Sequence, residues 1–261
     1  MKKEDIAIIA GILLSLLIGA LYIFSLQKSY SDLTVDILLV LLAVFSASAT
    51  FYAYKIQKSR GDPYASRFLW MAVAEIIWLI AELVWAYYEF ALNIVNPSLS
   101  LADFFWLIGY LPMAYSLYII FVSISYHRRA AVLAVVSFLV LTALVFIFLT
   151  DSIFNTDQPP EVSLVNMAYV LEDALLVSLA IPLAVAFFSY SKSRSWMLLA
   201  LALGVGAFGD VAFFYLTSLN SPDPNILSSF FYMLDYVWVG IAALIFCLES
   251  GPTIERGAGF P

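Results

Sequence analysis

The chain has 261 residues, of which 64% are apolar and only 12% are charged, with a formal net charge of −7. A soluble core cannot absorb that much apolar surface, and the charged share is about half that of a soluble domain, which excludes a water-soluble enzyme. A bilayer-spanning helix needs about 20 apolar residues, so eight of them would use about 160 and leave only short loops and tails.

Apolar runs fall at residues 6–26, 33–54, 68–90, 101–125, 130–150, 164–189, 196–217 and 226–248. They predict an all-α integral membrane protein with eight transmembrane helices. The first run follows Met1, Lys2 and Lys3. It is too long for a typical signal-peptide core and lacks a small-x-small cleavage site, so it reads as a retained helix. Pro112 and Pro182 fall inside helices four and six, where a membrane tolerates the lost backbone bond. The single cysteine, Cys247, lies in an apolar run, and the single histidine, His127, stands beside Arg128 and Arg129. No disulfide framework, His/Cys metal site or histidine-based catalysis is expected from these. Nothing in the chain points to nucleic acid or a redox cofactor.

The basic residues set the orientation. Lys2, Lys3, Lys55, Lys58, Arg60, Arg67, Arg128, Arg129, Lys192, Arg194 and Arg256 fall on one side of the predicted spans, and only Lys28 falls on the other. This positive-inside pattern places both termini in the cytoplasm of a cell bounded by a plasma membrane. The loop from Asp151 to Ser163, with Asp157, Glu161 and Pro159-Pro160, becomes a short acidic outer cap.

The second half repeats the first. Phe104-Phe105-Trp106-Leu107-Ile108-Gly109-Tyr110 matches Phe230-Phe231-Tyr232-Met233-Leu234-Asp235-Tyr236, and Ala81-Glu82-Leu83-Val84 matches Gly209-Asp210-Val211-Ala212. Trp70-Met71 matches Trp196-Met197, and Ala91-Leu92-Asn93 matches Ser218-Leu219-Asn220, all at an offset of 126 to 128. Two parallel four-helix repeats are expected, residues 1–128 and 129–261, with a site at their interface.

Carboxylates inside the spans are the informative residues. Glu75, Glu82 and Glu89 lie seven apart on helix three and share a face. Glu172 and Asp173 lie on helix six, Asp210 on helix seven, Asp235 on helix eight and Asp36 near the outer end of helix two. No basic residue is expected deep in any span, and a charged acid in hydrocarbon costs a few kcal/mol. These acids are therefore neutral and hydrogen-bonded between helices, or line a hydrated cavity, or bind a cation. The expected binding set is Glu82, Asp210, Asp235, Glu172 and Asp173, with Tyr110 and Tyr236 as donors and Trp85 in an aromatic wall suited to an organic cation. Ser100 to Asp103 fits a capping box opening helix four.

The stretch Glu82-Leu-Val-Trp-Ala-Tyr-Tyr-Glu89, followed by Ser100-Leu-Ala-Asp-Phe-Phe-Trp-Leu-Ile-Gly-Tyr-Leu-Pro112, resembles the multi-helix N-terminal membrane regions of prokaryotic GGDEF diguanylate cyclases and some histidine kinases. The resemblance covers helices three and four and, through the duplication, helices seven and eight. Where that pattern has Gly-Asp, the first half has Ala81-Glu82 and the second keeps Gly209-Asp210. It implies a membrane sensor. With about 13 residues after helix eight, no output domain is expected, and a protein partner would carry the signal.

The expected function is a sensor or regulatory subunit, not an enzyme, binding a small ligand or cation in an outward-facing acidic, aromatic-lined cavity. The alternative is a cation- or proton-coupled small-molecule transporter. An intramembrane lipid hydrolase comes third, because Phe208-Gly209-Asp210 is similar to a motif of the eight-helix lysoplasmalogenase family and paired carboxylates can activate water.

Overall fold

A computed structural model describes residues 2–25, 31–94, 99–123, 127–153, 159–188, 194–219 and 225–249. Lys28, Asp157, Lys192, Asn220 and Arg256 lie outside the described residues. The elements are α1 (Lys3–Ser25), α2 (Ser31–Ser59), α3 (Ser66–Leu92), α4 (Leu101–Ser123), α5 (His127–Ile153), α6 (Pro160–Phe188), α7 (Arg194–Ser218) and α8 (Asn225–Leu248). Among the described residues there is no strand. All eight helices are long and apolar enough to cross a bilayer. Each overlaps one apolar run of the sequence, most extending a few residues beyond it. Pro160 opens α6 at a position where its missing N–H costs nothing. Large apolar side chains face outward, Phe148 at 76% and Leu16 at 66% exposure among them, a surface suited to lipid.

Six helices close a ring. α2 packs on α3, α3 on α4, α4 on α6, α6 on α7, α7 on α8, and α8 returns to α2. α1 lies outside the ring mainly on α8, and α5 lies outside it on α6 and α7. Lipid tails are as apolar as leucine, so close backbone approach has to hold such helices together. Ala43, Ala53, Ala74, Ala81 and Ala102 are fully buried. A side chain at Gly109 would place its Cβ 2.3 Å from Trp78 Nε1. The glycine lets the Trp78 indole lie across α4 and donate to the Trp106 carbonyl at 2.9 Å.

One end of the ring is tied by polar contacts. Arg194 pairs with Asp5 at 2.7 Å, Arg60 donates to the Cys247 carbonyl at 2.8 Å, and the Ser195 hydroxyl donates to Glu249 at 2.8 Å. The starts of α1 and α7 therefore share an end with the close of α2 and α8. Burial lifts the Glu249 carboxyl above the usual carboxylate range, against the pull of the Ser195 hydrogen bond.

Arg67 corrects one expectation. Counted among loop cations, it lies instead in the first turn of α3, 1% exposed. Its guanidinium carbon stands 5.1 to 5.4 Å from the ring centres of Phe246, Phe68 and Trp196, and Asp62 pairs with Nη2 at 2.6 Å. Nε and Nη1 have no hydrogen-bond partner. Aromatic faces compensate the charge in their place. The Phe68, Trp196 and Phe246 rings also pack on one another, so the residues around Arg67 plug this end of the ring. Arg67→Leu leaves Asp62 unpaired and should cost on the order of 3 kcal/mol, read as a lower melting temperature in detergent. Arg129→Leu, at an exposed position, should leave it unchanged; equal values for the two variants would show that the Arg67 plug does not stabilise the fold.

Candidate functional site

The interior of the ring holds carboxylates that accept from phenols and from the Trp106 indole. Glu82 of α3 is 6% exposed. Its Oε1 accepts from Trp106 Nε1 of α4 at 3.3 Å and from the Tyr236 hydroxyl of α8 at 2.8 Å. Asp210 of α7 accepts at Oδ1 from the Tyr232 hydroxyl of α8 at 2.5 Å. The Tyr110 hydroxyl of α4 lies 3.2 Å from Asp210 Oδ2 and 2.7 Å from Asp173 Oδ1 of α6. Helical spacing explains how so few residues reach so many partners. Trp106 and Tyr110 are four apart on α4, as are Tyr232 and Tyr236 on α8. Each pair places two donors one turn apart on one side of its helix.

A second strand of the network joins α4 to α6. Asp103 closes the expected capping box, taking hydrogen bonds at Oδ2 from the Ser100 backbone at 2.7 Å and the Ser100 hydroxyl at 2.8 Å. Its Oδ1 accepts from the Tyr169 hydroxyl at 3.0 Å. Tyr169 lies one turn from Asp173, so acid meets phenol twice across the same interface, once in each direction.

Asp235 reaches the same interior. A Cβ on Gly206 would fall 3.0 Å from its Oδ2, so α7 offers bare backbone to this carboxyl. Its Oδ1 is buried without a partner. Gly209 does the same for Tyr232, whose ring would lie 2.6 Å from an added Cβ. Glu75 is fully buried deeper in the ring, with Ser46 of α2 as a polar neighbour and no hydrogen bond to either carboxylate oxygen. Trp85 packs on Trp106 with ring centres 5.4 Å apart.

Of the residues expected from the sequence, Glu82 and Tyr236 are therefore joined in one hydrogen-bonded group with Trp106, and Tyr110, Asp173 and Asp210 in a second with Tyr232. Asp235 adjoins them across Gly206, and Trp85 supports Trp106. Glu172 is not drawn into the network; its Oε2 is buried without a partner. Tyr169, Tyr232 and the indole of Trp106 were not expected as donors. The signal was present in their spacing, since each lies one turn from a residue already marked as part of the site.

The electrostatic character is lopsided. Among the described residues the ion pairs are Arg67–Asp62 and Arg194–Asp5, and neither touches these acids. Only neutral O–H and N–H groups do. A phenol carries one proton, so Tyr110 donates fully to one of its two carboxylates. The remaining short contact is satisfied when a further proton or a cation sits with the Asp173–Asp210 pair. Among the described residues no group of three His, Cys, Asp or Glu is placed to hold a metal ion. A cavity of about 180 Å³ opens beside the pair, bounded by α5, α6 and α7. Asp173 and Asp210 are its two acids, and the rest of its lining is apolar or glycine.

No protein-family profile matches the chain, and no curated protein or solved structure matches it.

Removing a donor strands a buried acceptor, at about 1–3 kcal/mol each. Tyr110→Phe and Tyr236→Phe should each lower the melting temperature in detergent. Tyr115→Phe, on an exposed face of α4, serves as the control, and melting temperatures that match it would show that the network contributes nothing to stability.

Proposed function

We propose that the chain is a plasma-membrane sensor or regulatory subunit whose acid–tyrosine centre takes up a small cation or cationic ligand. The observation that carries this reading is the Tyr110 hydroxyl held between Asp173 and Asp210, two partly buried carboxylates that share its one proton, with Tyr232 donating to Asp210 and no basic side chain bonded to either. Uptake of positive charge there changes what holds α4, α6 and α7 together. Such a change is what a signalling partner protein would read. The resemblance of helices three and four to sensor regions of diguanylate cyclases and histidine kinases supports the same class.

The proposed duplication supports a site between two halves. Glu82 accepts from Trp106 of its own half and Tyr236 of the other; Asp210 accepts from Tyr232 of its own half and Tyr110 of the other. These residues correspond in pairs at the offsets found in the sequence. Trp78 over Gly109 and Asp235 over Gly206 also correspond, with large and small partners exchanged. The ring favours the same division, α2 to α4 against α6 to α8, while α1 and α5 pack differently. A site at the junction of two halves also suits a cation- or proton-coupled transporter, which is the second reading.

Three measurements separate these possibilities. In detergent, methylammonium should raise the melting temperature of the parent in a saturable way, and Asp210→Asn should fold but lose the response. An unchanged response in Asp210→Asn would overturn the site. In proteoliposomes, a sensor moves no methylammonium, whereas uptake would favour the transporter. For topology, Glu161→Cys should label with an impermeant maleimide in intact cells and Ser59→Cys should not, both in a Cys247→Ser background. The opposite pattern would invert the proposed orientation.

A further inference from the structure

The cavity beside Asp173 and Asp210 says more about the ligand than its charge. We infer that it takes a small lipophilic amine, with the ammonium on the two carboxylates and a single ring or short chain among Val145, Val170, Phe208 and Phe214. This rests on the proposed acid–tyrosine centre as the place where positive charge is taken up. About 180 Å³ is close to the size of an engineered apolar cavity that stays dry and binds benzene. It is too small for a whole drug-sized ligand and larger than a methylammonium group requires.

Charge complementarity selects the head group. Asp173 and Asp210 are the cavity's acids, and no lysine, arginine or histidine is among its lining residues. A neutral apolar molecule would bury its surface but leave the carboxylates as they are, whereas an ammonium gives them charge-assisted hydrogen bonds. The walls select the tail. Phe214 is 3% exposed, while Phe208 at 55% stands at the rim. α5, the outermost wall, packs outside the ring and carries many exposed apolar side chains. The amine therefore arrives dissolved in the bilayer and reaches the acids from the side.

Gly204 provides the decisive handle. It lines the cavity, and a Cβ added there meets no atom within 4 Å. Gly206 and Gly209 on the same helix would instead strike Asp235 and Tyr232. Gly204→Leu should therefore fill the cavity while leaving the hydrogen-bonded acids in place. Ala207→Leu is a second filling variant in case the first fails to fold.

The test compares three probes on the purified full chain in detergent, by melting temperature and equilibrium dialysis: 2-phenylethylamine, its uncharged analogue 2-phenylethanol, and methylammonium. The parent should bind 2-phenylethylamine at least tenfold more tightly than either other probe. Gly204→Leu or Ala207→Leu should lose that tenfold preference and retain the methylammonium response. Equal binding of the alcohol, or an unchanged preference in a folded filling variant, would overturn the lipophilic-amine assignment. Failure of the parent to bind 2-phenylethylamine while it still responds to methylammonium would also refute the assignment but spare the acid–tyrosine centre. Absence of response to both cations would refute the two together.

Discussion

Carboxylates inside a bilayer have to find their hydrogen bonds within the protein, because hydrocarbon offers none. In this chain the helices supply no lysine or arginine to meet them. The interior is instead wired by phenols and indoles, which donate a hydrogen bond without bringing a charge. That restriction explains why four ring helices, α3, α4, α7 and α8, each give a donor or an acceptor to the Glu82 and Asp210 centres. It also explains why glycines lie opposite the bulkiest or most polar groups, as Gly206 does for Asp235 and Gly209 for Tyr232. At Gly209 the bare backbone of α7 makes room for the Tyr232 ring, whose hydroxyl donates to Asp210.

Among the described residues, the one buried basic side chain obeys a different rule. Arg67 sits far along the ring from the acids, paired with Asp62 and covered by aromatic faces. It neutralises nothing at the acid–tyrosine centre and closes one end of the ring.

Much of the architecture was legible in the sequence. Eight apolar runs became eight helices because spanning a bilayer demands length and apolar composition, and both can be read locally. The capping box at Ser100 and Asp103 was legible for the same reason. Partner choice was not. Apolar residues surround α6 and α7 evenly, so only their acids mark an inward face, and the pairing of Tyr169 with Asp103 depends on how α4 packs against α6. Arg67 was misplaced because its cage comes from Trp196 and Phe246, more than a hundred residues away in the chain. Glu172 looked equivalent to Asp173, but neighbours on a helix point about 100° apart, and only Asp173 meets Tyr110.

The Asp173–Asp210 pair should hold a proton, or a cation in its place, beyond the phenolic protons that Tyr110 and Tyr232 donate. Infrared difference spectroscopy on the full chain in detergent reads this directly through the protonated-carboxyl stretch. Such a band is expected without added cation, assigned to the pair by its loss in Asp173→Asn or Asp210→Asn, and removed from the parent by methylammonium. A spectrum in which no such band depends on either residue and methylammonium changes nothing would contradict it.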